Sequence, residues 1–311
     1  MDLIFAATGL VLLVFAGDML VRGAVNLALR LGIPALIVSL TIVSFGTSAP
    51  ELFIAVGAVL EGAPGIAIGN VVGSNTANIL LVLGVPALFF GISTRYCNTG
   101  RSYLFMMIAS LWFIALSYFG PLTWVHGLLM LGVLTAILLD QARAARAHVL
   151  AGPDDSVEGA DPSMPWWRIF LYLSLGLAGL PLGAHFLVNS AVNIATDLGV
   201  SETVIGLTLV AVGTSLPELA TTIAAAMRRQ ADVALGNVIG SNMFNLLAII
   251  GVASMFGDIP IEATFLNFDL WVMLAASVVL APFVLMRFDM GRIVGLVFTA
   301  LYIGYLLLAL T

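Results

Sequence analysis

The chain contains no lysine, and its 11 basic residues are all arginine. Charged residues make up only 9% of its 311 positions. A soluble globular chain carries roughly a quarter charged residues, so a soluble fold is excluded. The single cysteine, Cys97, excludes an internal disulfide. The formal charge of −6 lies mostly in loops, which gives no reason to expect a nucleic-acid partner. The opening Met1-Asp2-Leu3-Ile4-Phe5 has no basic stretch and no small-residue cleavage site, and reads as a retained first helix. What is abundant is apolar: 61% hydrophobic residues and a mean hydropathy of +1.13. These values describe an integral, all-α membrane protein.

Apolar runs of about 20 residues predict ten transmembrane helices. They cover roughly 3–30, 34–60, 65–90, 102–119, 122–140, 167–197, 202–228, 233–256, 269–286 and 292–310. Between the fifth and sixth, Gln141 to Pro165 is hydrophilic, carries Asp154, Asp155, Glu158 and Asp161, and reads as a flexible linker. The domains are then 1–140, the linker 141–165, and 166–311. Ten alternating spans put every inter-span arginine on one side: Arg30, Arg95, Arg101, Arg143, Arg146, Arg168, Arg228, Arg229, Arg287 and Arg292. Loops on the other side carry Glu61, Asp197, Glu202, Asp258 and Glu262 but no arginine. The positive-inside rule then predicts a cytoplasmic linker and both termini outside.

The two halves repeat. An offset of 167 residues aligns Gly46-Thr47-Ser48-Ala49-Pro50-Glu51 with Gly213-Thr214-Ser215-Leu216-Pro217-Glu218. The same offset aligns Gly69-Asn70-Val71-Val72-Gly73-Ser74-Asn75 with Gly236-Asn237-Val238-Ile239-Gly240-Ser241-Asn242, and Asn78 with Asn245. Five spans per half is an odd number, so the second half enters the membrane from the opposite face. The fold class is therefore ten helices in two inverted-topology five-helix repeats, a design in which a central site alternates between two sides.

Each first motif sets a glutamate, two hydroxyls and a proline inside a membrane-length apolar run. An ionisable residue there marks an ion or substrate pathway. Pro50 and Pro217 lack an N–H and so release the carbonyls of Gly46 and Gly213. Broken helix at membrane depth is tolerated where it faces protein or a polar cavity. Carbonyls, hydroxyls and carboxylates are hard oxygen ligands, of the type that calcium and sodium favour. If the segment stays helical, Thr47 and Ser48 lie on or near the face of Glu51. Ser74 with Asn78, and Ser241 with Asn245, add a hydroxyl and an amide oxygen at four-residue spacing. Glu51 and Glu218 together supply a charge of −2, which one divalent cation neutralises. Without it, a proton or several monovalent cations can compensate two desolvated carboxylates that repel each other.

These paired motifs closely resemble the two alpha-repeats of the sodium/calcium exchanger family, within the cation/calcium exchanger superfamily. The likeness runs over spans 1–3 and 6–8. It implies a four-helix core with broken spans 2 and 7, across which long tilted spans 1 and 6 slide. It implies coordination by Glu51 and Glu218, by the hydroxyls of Thr47, Ser48, Thr214, Ser215, Ser74 and Ser241, and by backbone oxygens near Ser44 and Ala211. Asn78 and Asn245 match the amide or carboxylate positions on spans 3 and 8. Potassium-dependent relatives carry aspartate at the position of Asn245, so the asparagine argues against potassium cotransport. The proton-coupled branch has Gly-Asn before the glutamate, so sodium coupling is favoured. The linker is too short for large regulatory calcium-binding domains. The resemblance implies a compact, prokaryotic-type inner-membrane antiporter of calcium and sodium. It needs no cofactor and no protein partner, and a monomer suffices.

Other readings are weighed against this one. Calcium/proton exchange, or exchange of another divalent cation, is the alternative within transport. An intramembrane hydrolase using Ser48 or Ser215 needs a general base within reach, and neither duplicated glutamates nor unpaired histidines supply one well. A passive channel is disfavoured by the inverted repeat. The glycines of the second motif could serve only close helix packing. Asn70 and Asn237 read as helix cross-links, Asp18 and His185 as structural or lining residues, and His126 and His148 as interfacial.

Overall fold

The computed structural model describes residues 1–151, 161–198 and 211–309. Its spans are helical throughout, and we number them in chain order. The first five are α1 (Asp2–Leu31), α2 (Ala35–Thr47 and Ala49–Leu60), α3 (Pro64–Phe89), α4 (Gly100–Ser117) and α5 (Trp124–Ala151). The second five are α6 (Trp166–Asp197), α7 (Ala211–Thr214 and Leu216–Met227), α8 (Ala231–Ala253), α9 (Phe265–Leu285) and α10 (Arg292–Ala309). Seven of these pass a length and hydropathy test for crossing a membrane, and α2 is an eighth if its two halves, bent by 44°, count as one span. The described part of α7 and α10 are shorter apolar helices. Residues 202–210 of the predicted seventh span, with Glu202, lie outside the described residues, as do Asp154, Asp155 and Glu158 of the linker.

One boundary differs from expectation. Gln141 to Ala151, read as part of the linker, continues α5. That stretch is mostly alanine, arginine and glutamine, all strong helix formers, so it stays helical despite its hydrophilic composition.

Contacts across the repeat follow one pseudo-twofold rule. α1 and α6 run antiparallel, and glycines let their backbones touch. A Cβ on Gly9 would lie 2.7 Å from the backbone nitrogen of Leu187, and one on Gly176 would lie 2.9 Å from that of Leu20. Shifting 9 and 20 by 167 gives 176 and 187, so the two contacts are images of each other. Close approach through small residues is how membrane helices gain packing energy. The loops follow the same rule to within one residue. Ile92 pairs with Met290 on one side of the molecule, and Leu122 with Ile259 on the other, Ile259 being the image of Ile92 and Leu122 lying next to that of Met290.

α8 and α3 form the centre: the apolar window of α8 is 94% buried and that of α3 78%, against 33% for α1 and 28% for α6. The symmetry breaks in how α1 and α6 lie on the core. Gly17 of α1 packs so tightly on α7 that a Cβ would sit 2.8 Å from the Ala220 carbonyl oxygen. One residue on, Asp18 forms ion pairs with Arg22 and with Arg228 at the end of α7. The image of Ala220 is Phe53 on α2, and Phe53 is 77% exposed. The linker-side half of α7 is therefore covered by α1, while the equivalent half of α2 is not covered.

Candidate ion-binding site

The helix breaks of α2 and α7 are superposable. Ser48 and Ser215 leave helical geometry with φ −86°, ψ 6° and φ −86°, ψ 5° respectively, and Pro50 and Pro217 sit at the start of the helix that follows. Proline is tolerated there because its missing N–H would be free in any case. The break redirects the hydroxyls. Thr47 and Ser48 would lie on or near the face of Glu51 if the segment stayed helical; the turn at Ser48 interrupts the helix, and both hydroxyls reach residues of the other half. Ser48 donates to Glu218 Oε1 at 2.9 Å, and Thr47 donates to Asn237 Oδ1 and the Ser44 carbonyl, both at 3.3 Å. From α8, Ser241 also donates to Glu218 Oε1, at 3.4 Å.

Both glutamates are 1% exposed, and they lie close enough for their charges to repel each other. Their surroundings are unequal. The image donors for Glu51 are Ser215 and Ser74, and in both the hydroxyl has no hydrogen-bond partner among the described residues. Ten buried side-chain polar atoms among the described residues lack a partner. Six of them are oxygens of expected ligands: Glu51 Oε2, Glu218 Oε2, Ser74 Oγ, Ser215 Oγ, Asn78 Oδ1 and Asn245 Oδ1. A buried polar group left unpaired costs about 1–3 kcal/mol. Six would cost on the order of 10 kcal/mol, comparable with the whole stability of a typical domain. Four of the six are carboxylate or amide oxygens that only accept, and a cation or a proton donor relieves them; the two hydroxyl oxygens can also face a cation.

Not every expected ligand is equally placed. The Ser44 carbonyl already accepts from Ser48 N at 3.0 Å as well as from Thr47. The Ser44 hydroxyl donates to the carbonyls of Ser39 and Asn237, at 2.7 and 3.0 Å, which ties α2 to α8. Thr214 is half-buried on α7, and Ala211 opens the described part of that span, with its preceding neighbours outside the described residues. Gly236 and Gly240 serve close packing, since a Cβ on either would collide with Ser39 or Ser44. Asn237 is a cross-link, donating to the Glu218 carbonyl at 3.4 Å and to Thr222 Oγ1 at 3.3 Å.

Sequence reasoning left two central residues unassigned. Asn75 and Asn242, each three residues before an expected ligand, meet at the pseudo-twofold axis between α3 and α8. Each donates its amide to the other's backbone carbonyl, at 3.2 and 3.3 Å. A second unanticipated feature is local. The helix widens into a π-helical turn at Asn78–Val82 and again at Asn245–Ile249, and such turns cluster at functional sites.

Comparison with known proteins decides the family. The sodium/calcium exchanger protein family matches residues 1–141 and 168–311. The chain belongs to the sodium/calcium exchanger family. Members are transporters, not enzymes, so this chain is a cation/calcium exchanger-family antiporter of the membrane. It is 37% identical to the putative antiporter CaxA of Alkalimonas amylolytica, over 97% of this chain and 96% of that one. It is 34% identical to the inner membrane protein YrbG of Escherichia coli over 96% of this chain and 93% of that one. Identity with the sodium/calcium exchanger MaX1 of Methanosarcina acetivorans is 32%, over 96% and 95%. The solved sodium-calcium exchanger NCX_Mj, soaked with sodium and no calcium, superposes with a TM-score of 0.81 at 34% identity, covering 97% of this chain and 96% of that one. The ten-helix inverted-repeat exchanger fold expected from the paired motifs is thus the fold of this chain.

Proposed function

We propose that this chain is a secondary active antiporter that exchanges calcium for sodium by alternating access, through a site built on Glu51 and Glu218. The observation that carries the reading is the set of six buried oxygens, drawn from both halves, that have no partner among the described residues. Two carboxylates and neutral oxygens suit a hard cation, and a net charge of −2 matches one divalent ion or several sodium ions. Thr47, Ser48, Thr214, Ser215, Ser74, Ser241, Asn78 and Asn245 complete the shell, with backbone oxygens at Ser44 and Ala211. The same charge bars the empty site from crossing, because two uncompensated carboxylates would have to pass the low-dielectric layer together. Coupling follows: the site moves only when filled by one ion type or the other. The relative MaX1 is named a sodium/calcium exchanger, and asparagine at 245 leaves the site one negative charge short of a potassium-dependent pattern. Two repeats, 1–140 and 166–311, flank a cytoplasmic linker in the inner membrane, with both termini outside.

Calcium flux into proteoliposomes under separately imposed gradients tests this. Uptake should follow an outward sodium gradient and ignore potassium. Uptake that responds to a pH gradient alone would replace sodium by protons as the coupled ion. Leak independent of any gradient would indicate a channel.

A further inference from the structure

Four asparagines make a closed arrangement between α3 and α8, and each is 1% exposed. Asn75 and Asn242 spend their amide nitrogens on each other's backbone carbonyls. Their amide oxygens are left as acceptors, and each is taken by the ligand asparagine of the opposite half. Asn245 Nδ2 donates to Asn75 Oδ1 at 3.0 Å, and Asn78 Nδ2 donates to Asn242 Oδ1 at 3.0 Å. A primary amide has nitrogen at one corner and oxygen at the other. Pinning the nitrogen of Asn78 and Asn245 inside the arrangement therefore turns their oxygens out of it. Those two oxygens have no partner among the described residues. A flipped amide would offer a cation an N–H dipole of the wrong sign and would set two acceptors face to face inside the arrangement.

We propose that Asn75 and Asn242 are positioning residues for cation binding: each fixes the amide of the opposite half's ligand, so that Asn245 and Asn78 present oxygen to the ion. The inference rests on the exchange reading of the site and deepens it. The action is crossed, Asn75 upon Asn245 and Asn242 upon Asn78, so one ligand of each repeat is set by the other. A simple staple between the halves would instead lower stability and leave affinity in the folded protein unchanged.

A double-mutant cycle on the full chain separates the two, read as the calcium concentration for half-maximal sodium-driven uptake. Asn75→Ala should raise it about 10- to 100-fold, the usual cost of losing a partner that orients a metal ligand, with a smaller change in maximal rate. In an Asn245→Ala background the same change should add less than about twofold, because its target is gone, whereas with Asn78→Ala the effects should multiply. Asn75→Asp, whose neutral form keeps both the donor and the acceptor, should recover most of the affinity. Unchanged half-saturation in Asn75→Ala, or equal multiplication in both double variants, would overturn the proposal. If Asn75→Ala does not fold, Asn75→Leu, which keeps the branched shape but has neither donor nor acceptor, carries the cycle. Radioactive calcium binding to purified protein reads the same ratios without transport. Wild type that binds but does not exchange would sink the exchange reading while the binding ratios still decide the asparagines. Wild type that binds no calcium would sink both.

Discussion

Ser48 and Ser215 are the same residue of the two repeats in different circumstances. The Ser48 hydroxyl holds Glu218, whereas the Ser215 hydroxyl has no partner among the described residues. A hydrogen bond to a charged group contributes about 1.5–3 kcal/mol. Ser48→Ala should therefore lower the melting temperature in calcium- and sodium-free detergent clearly more than Ser215→Ala does; equal losses would contradict the observed asymmetry. Cys97 gives a second expectation. It is 4% exposed, and burial, followed by the nearby Asp232 carboxylate, pushes its thiol well above the ordinary cysteine range. Only the thiolate attacks an alkylating reagent, so Cys97 should stay unlabelled by a maleimide at neutral pH until the protein is denatured. At this scale the sequence disclosed the two glutamates, because a carboxylate inside an apolar run stands out. It did not disclose the partner of Ser48, or the roles of Asn75 and Asn242. Those depend on residues of the other half brought near by the pseudo-twofold, and a motif shows only its own neighbours.

The turns that close α2 and α7 show what a helix end demands. Gly62 adopts φ 77° after α2, and its image Arg229 adopts φ 58° after α7. In both, the next residue's N–H reaches back to a carbonyl five residues earlier, Ala63 to Ala58 and Gln230 to Ala225, each at 2.8 Å. This left-handed cap suits glycine, and a side chain there costs about 1–2 kcal/mol. Arg229→Gly should stabilise the protein by about 1 kcal/mol in reversible unfolding, and a loss of stability would refute the strain. Conversely, an alanine at Gly176 would press into the Leu20 backbone, while Gly57 has nothing within 4 Å. Gly176→Ala should cost about 1–3 kcal/mol and Gly57→Ala little. Helix breaks were legible from Pro50 and Pro217. The π-helical turns at Asn78 and Asn245 were not, since Ile79 to Val82 and Leu246 to Ile249 are apolar throughout and carry no period from which a widened turn could be read.

Over the whole molecule, inversion of the repeat makes one conformation foretell another. Asp18 on α1 binds Arg228 at the end of α7. Their images are His185 on α6 and Glu61 at the end of α2, a pair of opposite polarity that is not engaged here. In the proposed cycle the second pair closes when the first opens. A short bifunctional maleimide should link Asp18→Cys to Arg228→Cys in the present conformation, and Glu61→Cys to His185→Cys in the opposite one. Failure of the second pair to link under any combination of calcium and sodium would contradict that symmetry. The repeat and its inversion were plain from the 167-residue offset and the odd number of spans. Which of the two image pairs is engaged was not, because an inverted repeat encodes both conformations equally.

The central claim is that the two buried carboxylates, one from each half, carry the exchanged charge. Sodium-driven calcium uptake by proteoliposomes of Glu51→Gln and of Glu218→Gln tests it most directly, with folding and insertion checked for each. The account predicts nearly complete loss of uptake in both variants. Near-normal uptake in either one would contradict it.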